Sequence, residues 1–152
     1  IPVDIPLPDL TSKLGSGWEE VTRNVMGEWY LDLVLFAGFD PAIRLDEETA
    51  KTAGTGWGGD SYLVYWNGST QEQAFVMVSQ WETSTDANEF WDAMKEYGRL
   101  RWNSPAENKS NNQVWTNTAD GYIRLVRNGN EITWLITSTP AIADKVLAGI
   151  GK

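Results

Sequence analysis

At 152 residues the chain has the size of one domain and is long enough to bury a core without disulfide or metal staples. Its 12 Lys and Arg against 21 Asp and Glu leave a net charge of −9, which repels phosphate backbones and anionic membrane surfaces and argues against nucleic acid as a partner. Cys and His are both absent, so disulfides, thiolate or imidazole metal ligands and every Ser-His or Cys-His arrangement are excluded, leaving carboxylates, Lys and Tyr for any acid–base chemistry.

No run reaches the roughly 20 apolar residues that span a bilayer as a helix. The longest, Trp29 to Phe39, is interrupted by Asp32. No secretory leader is evident and the chain opens on Ile1, so the expectation is a processed or excised part of a longer protein. Pro2, Pro6 and Pro8 stand too close together for helix, and residues 1–16 read as an extended linker or an edge segment ahead of a single domain over 17–152.

Between Gly17 and Gly38, Val21, Val25, Trp29 and Leu33 recur every four residues, with Met26, Tyr30 and Phe36 widening the stripe, and predict a core helix. Glu28 and Asp32 fall together on one side. A carboxylate pair can do acid–base work or bind a cation, but at this spacing it is also the ordinary pattern of a solvated face. Asp40-Pro41 supplies an N-cap and a preset first position for a short turn. A second helix follows over Asp46–Ala53, with Glu47 and Glu48 at its positive end and Gly54 closing it.

The stretch from Gly54 to Trp66, GTGWGGDSYLVYW, is the one around which the rest is organised. Gly56 to Asp60 reads as a glycine-rich loop in which Asp60 caps loop amides and Trp57 plugs the core. It precedes a strand and lacks a P-loop Lys, so it is not a phosphate cradle. Ser61–Trp66 and Gln71–Glu82 then form a hairpin across Asn67-Gly68. Tyr62, Val64 and Trp66 alternate with Leu63 and Tyr65, and Val76 and Val78 with Phe75, Met77 and Trp81. Both faces being apolar places these strands centrally, covered on each side, or lining a pocket with one face.

A helix over Asp86–Arg101 buries Ala87, Phe90, Trp91, Met94 and Tyr97, with Asp86 and Glu89 at capping-box spacing and Ser84 or Thr85 as competing caps. Asn103 to Asn112 is a polar, flexible tip. It carries one Asn-x-Ser triplet, Asn108-Lys109-Ser110, and Asn67-Gly68-Ser69 is a second; such triplets are short and arise by chance, and no function is attached to them at this point. A three-stranded meander follows over Gln113–Thr118, Tyr122–Arg127 and Glu131–Ser138, turning at Asp120-Gly121 and Asn128-Gly129. Pro140 starts a last helix with Ile142, Val146, Leu147 and Ile150 as its stripe. The fold class is therefore α+β, an antiparallel sheet of about five strands with helices packed on it.

The segment Gly56-Trp57-Gly58-Gly59-Asp60 with Tyr62, preceded by Gly27-Glu28 and followed by Trp81-Glu82 and Asp86-Ala87-Asn88-Glu89-Phe90, resembles the C-terminal region of a group of secreted bacterial and haloarchaeal surface proteins. The likeness spans roughly Met26 to Phe90. Members of that group often carry an upstream zincin-like domain with a His-Glu-x-x-His motif, none of which maps onto this His-free chain. The resemblance implies a companion domain of a cell-surface protein, in some cases lipid-anchored, with any peptidase chemistry lying elsewhere.

The leading expectation is thus a non-catalytic extracellular accessory domain that packs against an upstream domain of the same polypeptide, with no cofactor and no metal. A second reading is a module for glycans or other small ligands, since nine Trp residues are many for this length. Its ligand-binding candidates are Trp57, Gly58, Gly59, Asp60, Trp66 and Trp81, with Trp115 and Asn67 as further contributors, although a Trp in nearly every element is also how core aromatics distribute. A third is a carboxylate-pair hydrolase drawing on two of Glu28, Asp32, Asp60 and Glu82.

Overall fold

A computed structural model describes residues 1–152. After an extended lead-in, a single helical turn α1 (Thr11–Leu14) precedes strand β1 (Trp18–Asn24) and helix α2 (Glu28–Phe36). A 3-10 turn at Pro41–Ile43 leads to α3 (Glu47–Gly54), followed by the hairpin β2 (Trp57–Asn67) and β3 (Glu72–Trp81) and the long helix α4 (Ser84–Trp102). The short strand β4 (Glu107–Lys109), the meander β5 (Asn112–Thr118), β6 (Gly121–Asn128) and β7 (Glu131–Thr137), and helix α5 (Pro140–Gly149) complete the chain.

The strands form one antiparallel sheet of seven in the order β1-β2-β3-β7-β6-β5-β4. Two more strands than expected arise for separate reasons. β4 is a three-residue pairing inside the polar tip, where no apolar alternation announces it. β1 lies in what reads as the first half of a helix over Gly17–Gly38, and that expectation is corrected. Gly27 takes φ +81°, a left-handed conformation that ends the strand segment and cannot continue a helix. The four-residue stripe is then no buried face: Val21, Val25 and Trp29 are all exposed, and of α2 Leu31 and Leu35 are buried in the core with Val34 and Phe36 packed half-buried against it.

The glycine-rich stretch is also not a loop, because β2 already begins at Trp57. The start of α4 is set by Thr83, whose hydroxyl accepts the Asp86 amide while Asp86 accepts the Thr83 amide, in place of a cap at Ser84 or Thr85. α3 follows its prediction to within a residue, with the Asp46 carboxylate accepting the Thr49 amide at 2.8 Å. The closing meander and α5 do so as well.

Both faces of the sheet are covered, as the two-sided apolar strands require. Along the central strand, Met77 pairs with Tyr62 on one side and Trp134 on the other, so these side chains share a face. That face packs against α2, α3 and α4 in a core that includes the stacked Trp81–Phe90 pair, 4.4 Å between centroids. Such a buried aromatic contributes roughly 1.5–3 kcal/mol by removal of apolar area from water. The opposite face, with Leu63, Tyr65, Val76 and Leu135, packs against α1 and α5.

The lead-in is tied to this second face. The Tyr65 hydroxyl accepts the Leu10 amide at 2.9 Å and donates to Glu20 at 2.9 Å, and its burial pushes the phenol up to about 12. Arg23 donates to the carbonyls of Leu7 and Pro8. No helix is long and apolar enough to cross a membrane.

Candidate functional site

The predicted site residues sit where β2 enters the sheet. Asp60 is 1% exposed and its carboxylate is filled from three directions. Met26 and Gly27, immediately ahead of α2, donate their amides to Oδ2 and Oδ1 at 2.7 Å each, and the Trp57 indole N–H donates to Oδ1 at 3.0 Å. One side chain thus fixes the start of α2 and the orientation of Trp57 together. Buried and already accepting three N–H donors, the carboxylate has no open approach for a ligand and at most one acceptor site to spare.

The neighbouring glycines are explained by what crosses them. At Gly59, φ is +148° and the backbone of Val3 passes so close that an added Cβ would collide with its carbonyl oxygen. The Val3 amide donates to the Gly58 carbonyl at 2.7 Å, pinning the lead-in to this point. Gly56, at φ +79°, leaves room for the Asp86 side chain that caps α4, and its carbonyl accepts the Glu82 amide. Gly58 sits at the register shift where β2 bulges opposite β3. The motif is a clasp that joins the lead-in, α2, β3 and α4.

The aromatic candidates separate clearly. Trp81 and Trp115 are each 1% exposed and lie in the core, where neither offers a ring face to a ligand. Trp57 is half-buried, and Trp66, at 41%, is the one member of the predicted set that is exposed. Asn67, its proposed polar partner, is buried and uses its oxygen on the amides of Ser69 and Thr70. The carboxylate candidates also have separate fates. Glu28 and Glu82 are exposed, and Asp60 is buried and held by three N–H donors. Asp32 buries Oδ1 against Gly54 without a hydrogen-bond partner. That burial raises its pKa, Glu28 adds to the rise, and Lys51 partly offsets it.

Two surface features lie outside the predicted set. Trp29, 66% exposed, and Tyr30 meet edge to face at 5.3 Å on α2, and with Val21, Val25 and Phe39 they concentrate exposed large apolar side chains within residues 21–39. The apparent helical stripe concealed most of this, since it assigned Val21, Val25, Trp29 and Tyr30 to a core. The second feature is a groove of about 450 Å³ between α3 and α4 with Asp46, Glu48, Glu89, Asp92 and Glu96 on its walls. Asp46 is committed to its cap, while Lys95 and Arg99 answer Asp92 and Glu96. No three Asp or Glu residues converge into a metal-ligating group.

No curated protein and no solved structure matches the chain. Residues 13–147, nearly all of the sheet and its helices, match a family model described as Domain of unknown function (DUF8575), and the chain belongs to that family.

Proposed function

We propose that the chain is a non-catalytic accessory domain of an extracellular or cell-surface protein, packing against an upstream domain of the same polypeptide. The observation that carries this reading is the concentration of exposed large apolar side chains within residues 21–39, among which Trp29 and Tyr30 meet edge to face. Exposed aromatic side chains flanked by aliphatic ones are the usual anchors of a protein interface. The resemblance of the GWGGD segment to secreted surface proteins supports the placement, and the commitment of Asp60 to internal donors supports a non-catalytic role.

The test expresses the chain and its upstream domain separately and measures association by calorimetry. Association that weakens at least tenfold in a Trp29→Ala/Tyr30→Ala double variant is expected. No association, or peptide hydrolysis by the isolated chain, contradicts the reading. A glycan- or small-ligand-binding module is the second reading, favoured by the exposed rings of Trp29 and Trp66. It predicts saturable binding of soluble oligosaccharides that Trp66→Ala removes.

A further inference from the structure

The two Asn-x-Ser triplets are treated in opposite ways by the fold. In Asn67-Gly68-Ser69 the asparagine is 4% exposed and its Nδ2 donates to the Ser16 carbonyl at 3.2 Å, so the nitrogen is both covered and committed. In Asn108-Lys109-Ser110 every residue is exposed. Asn108 lies on β4, at the free edge of the sheet. There Gln113, buried behind it, donates Nε2 to Asn108 Oδ1 at 2.8 Å and to the Lys109 carbonyl at 2.8 Å. The carboxamide is therefore held by its oxygen, and Nδ2 is left without a partner in the chain.

Nδ2 is the atom that reacts when an Asn-x-Ser/Thr acceptor is glycosylated. We propose that Asn108 is an N-glycosylation acceptor in the folded chain, taking an oligosaccharide from a polyprenyl-diphosphate donor; its occurrence in cells rests on the extracellular reading above. In the transfer, Nδ2 attacks the anomeric carbon and a C–N bond forms. The bond from that carbon to the diphosphate oxygen breaks, the diphosphate leaves with the electron pair, and the amide proton passes to a basic group of the transferase. Ser110 supplies the hydroxyl that the acceptor motif requires. Asn108 also borders a polar groove of about 230 Å³ shared with Lys95, Arg99 and Gln113, which gives the first sugar hydrogen-bonding neighbours. A glycan here would cover a free sheet edge, the place where a second chain could otherwise pair.

The experiment incubates the folded chain with a purified single-subunit oligosaccharyltransferase that reads Asn-x-Ser/Thr without further requirement, a lipid-linked oligosaccharide donor, and intact-mass detection. One glycan is expected, retained in Asn67→Gln and lost in both Asn108→Gln and Ser110→Ala. A companion chain with a flexible acceptor peptide appended after Lys152 establishes that enzyme and donor are active. Modification of that peptide alone, or of Asn67, overturns the proposal. Cell fractionation that confines the chain to the cytoplasm would sink the surface reading and leave the acceptor result standing.

Discussion

Replacing Asp60 by Ala removes the acceptor of three donors at once: the Met26 and Gly27 amides at 2.7 Å and the Trp57 indole N–H at 3.0 Å. A hydrogen bond to a charged group contributes about 1.5–3 kcal/mol. The two amides are part-buried, so water recovers some of that loss, and a destabilisation of about 4 kcal/mol is expected. Against a typical total of roughly 5–15 kcal/mol, this is a large fraction of the stability. With a urea slope of about 2 kcal/mol per molar for a small domain, the unfolding midpoint should fall by about 2 M. Asp60→Asn keeps one acceptor oxygen and should lose about half as much. Urea titration followed by Trp fluorescence reads both. An Asp60→Ala variant within about 1 kcal/mol of the parent would refute the clasp and return Asp60 to the list of ligand-binding candidates.

Gly59→Ala should force the lead-in off β2, because a Cβ there meets the Val3 carbonyl; the expected readouts are a loss of about 1–3 kcal/mol and faster proteolysis within residues 1–9. The raised pKa of Asp32 means that the folded chain holds this proton more tightly than the unfolded one. Its contribution is whole below the ordinary Asp range and is lost as pH rises through the raised folded value. Asp32→Asn should therefore match the parent near pH 3 and exceed it at pH 7, as urea midpoints at the two pH values would show. Acrylamide should quench chiefly Trp29 and Trp66, and a Trp29→Phe/Trp66→Phe variant should lose most of the quenchable emission. Quenching that persists in it would mean the indoles assigned to the core are accessible.

How much of this was legible depended on whether neighbours in sequence carried the signal. The closing meander and α5 were readable because Asp120-Gly121, Asn128-Gly129 and Pro140 mark their own boundaries, and alternation fixes the faces between them. The two-sided cover of β2 and β3 was readable for the same reason. β1 was not, because Val21, Val25 and Trp29 fall at helical spacing by coincidence, and Gly27 breaks the helix only through a φ that spacing does not reveal. At the candidate site, capping of amides by Asp60 was foreseeable from the residue type. That the amides belong to Met26 and Gly27, more than 30 residues away, was not. The same limit hid the reason for Gly59, since its neighbour is Val3.

Residues 21–39 carry the exposed apolar side chains proposed to pack against an upstream domain. Amide hydrogen exchange on the chain alone and on the chain joined to that domain tests this packing most directly. Peptides covering Val25 to Tyr30 and Phe39 should exchange at least tenfold more slowly in the joined form, while β4 and β5 are unchanged. Equal rates across residues 21–39 in the two forms, or protection confined to the β4–β5 edge, would contradict it.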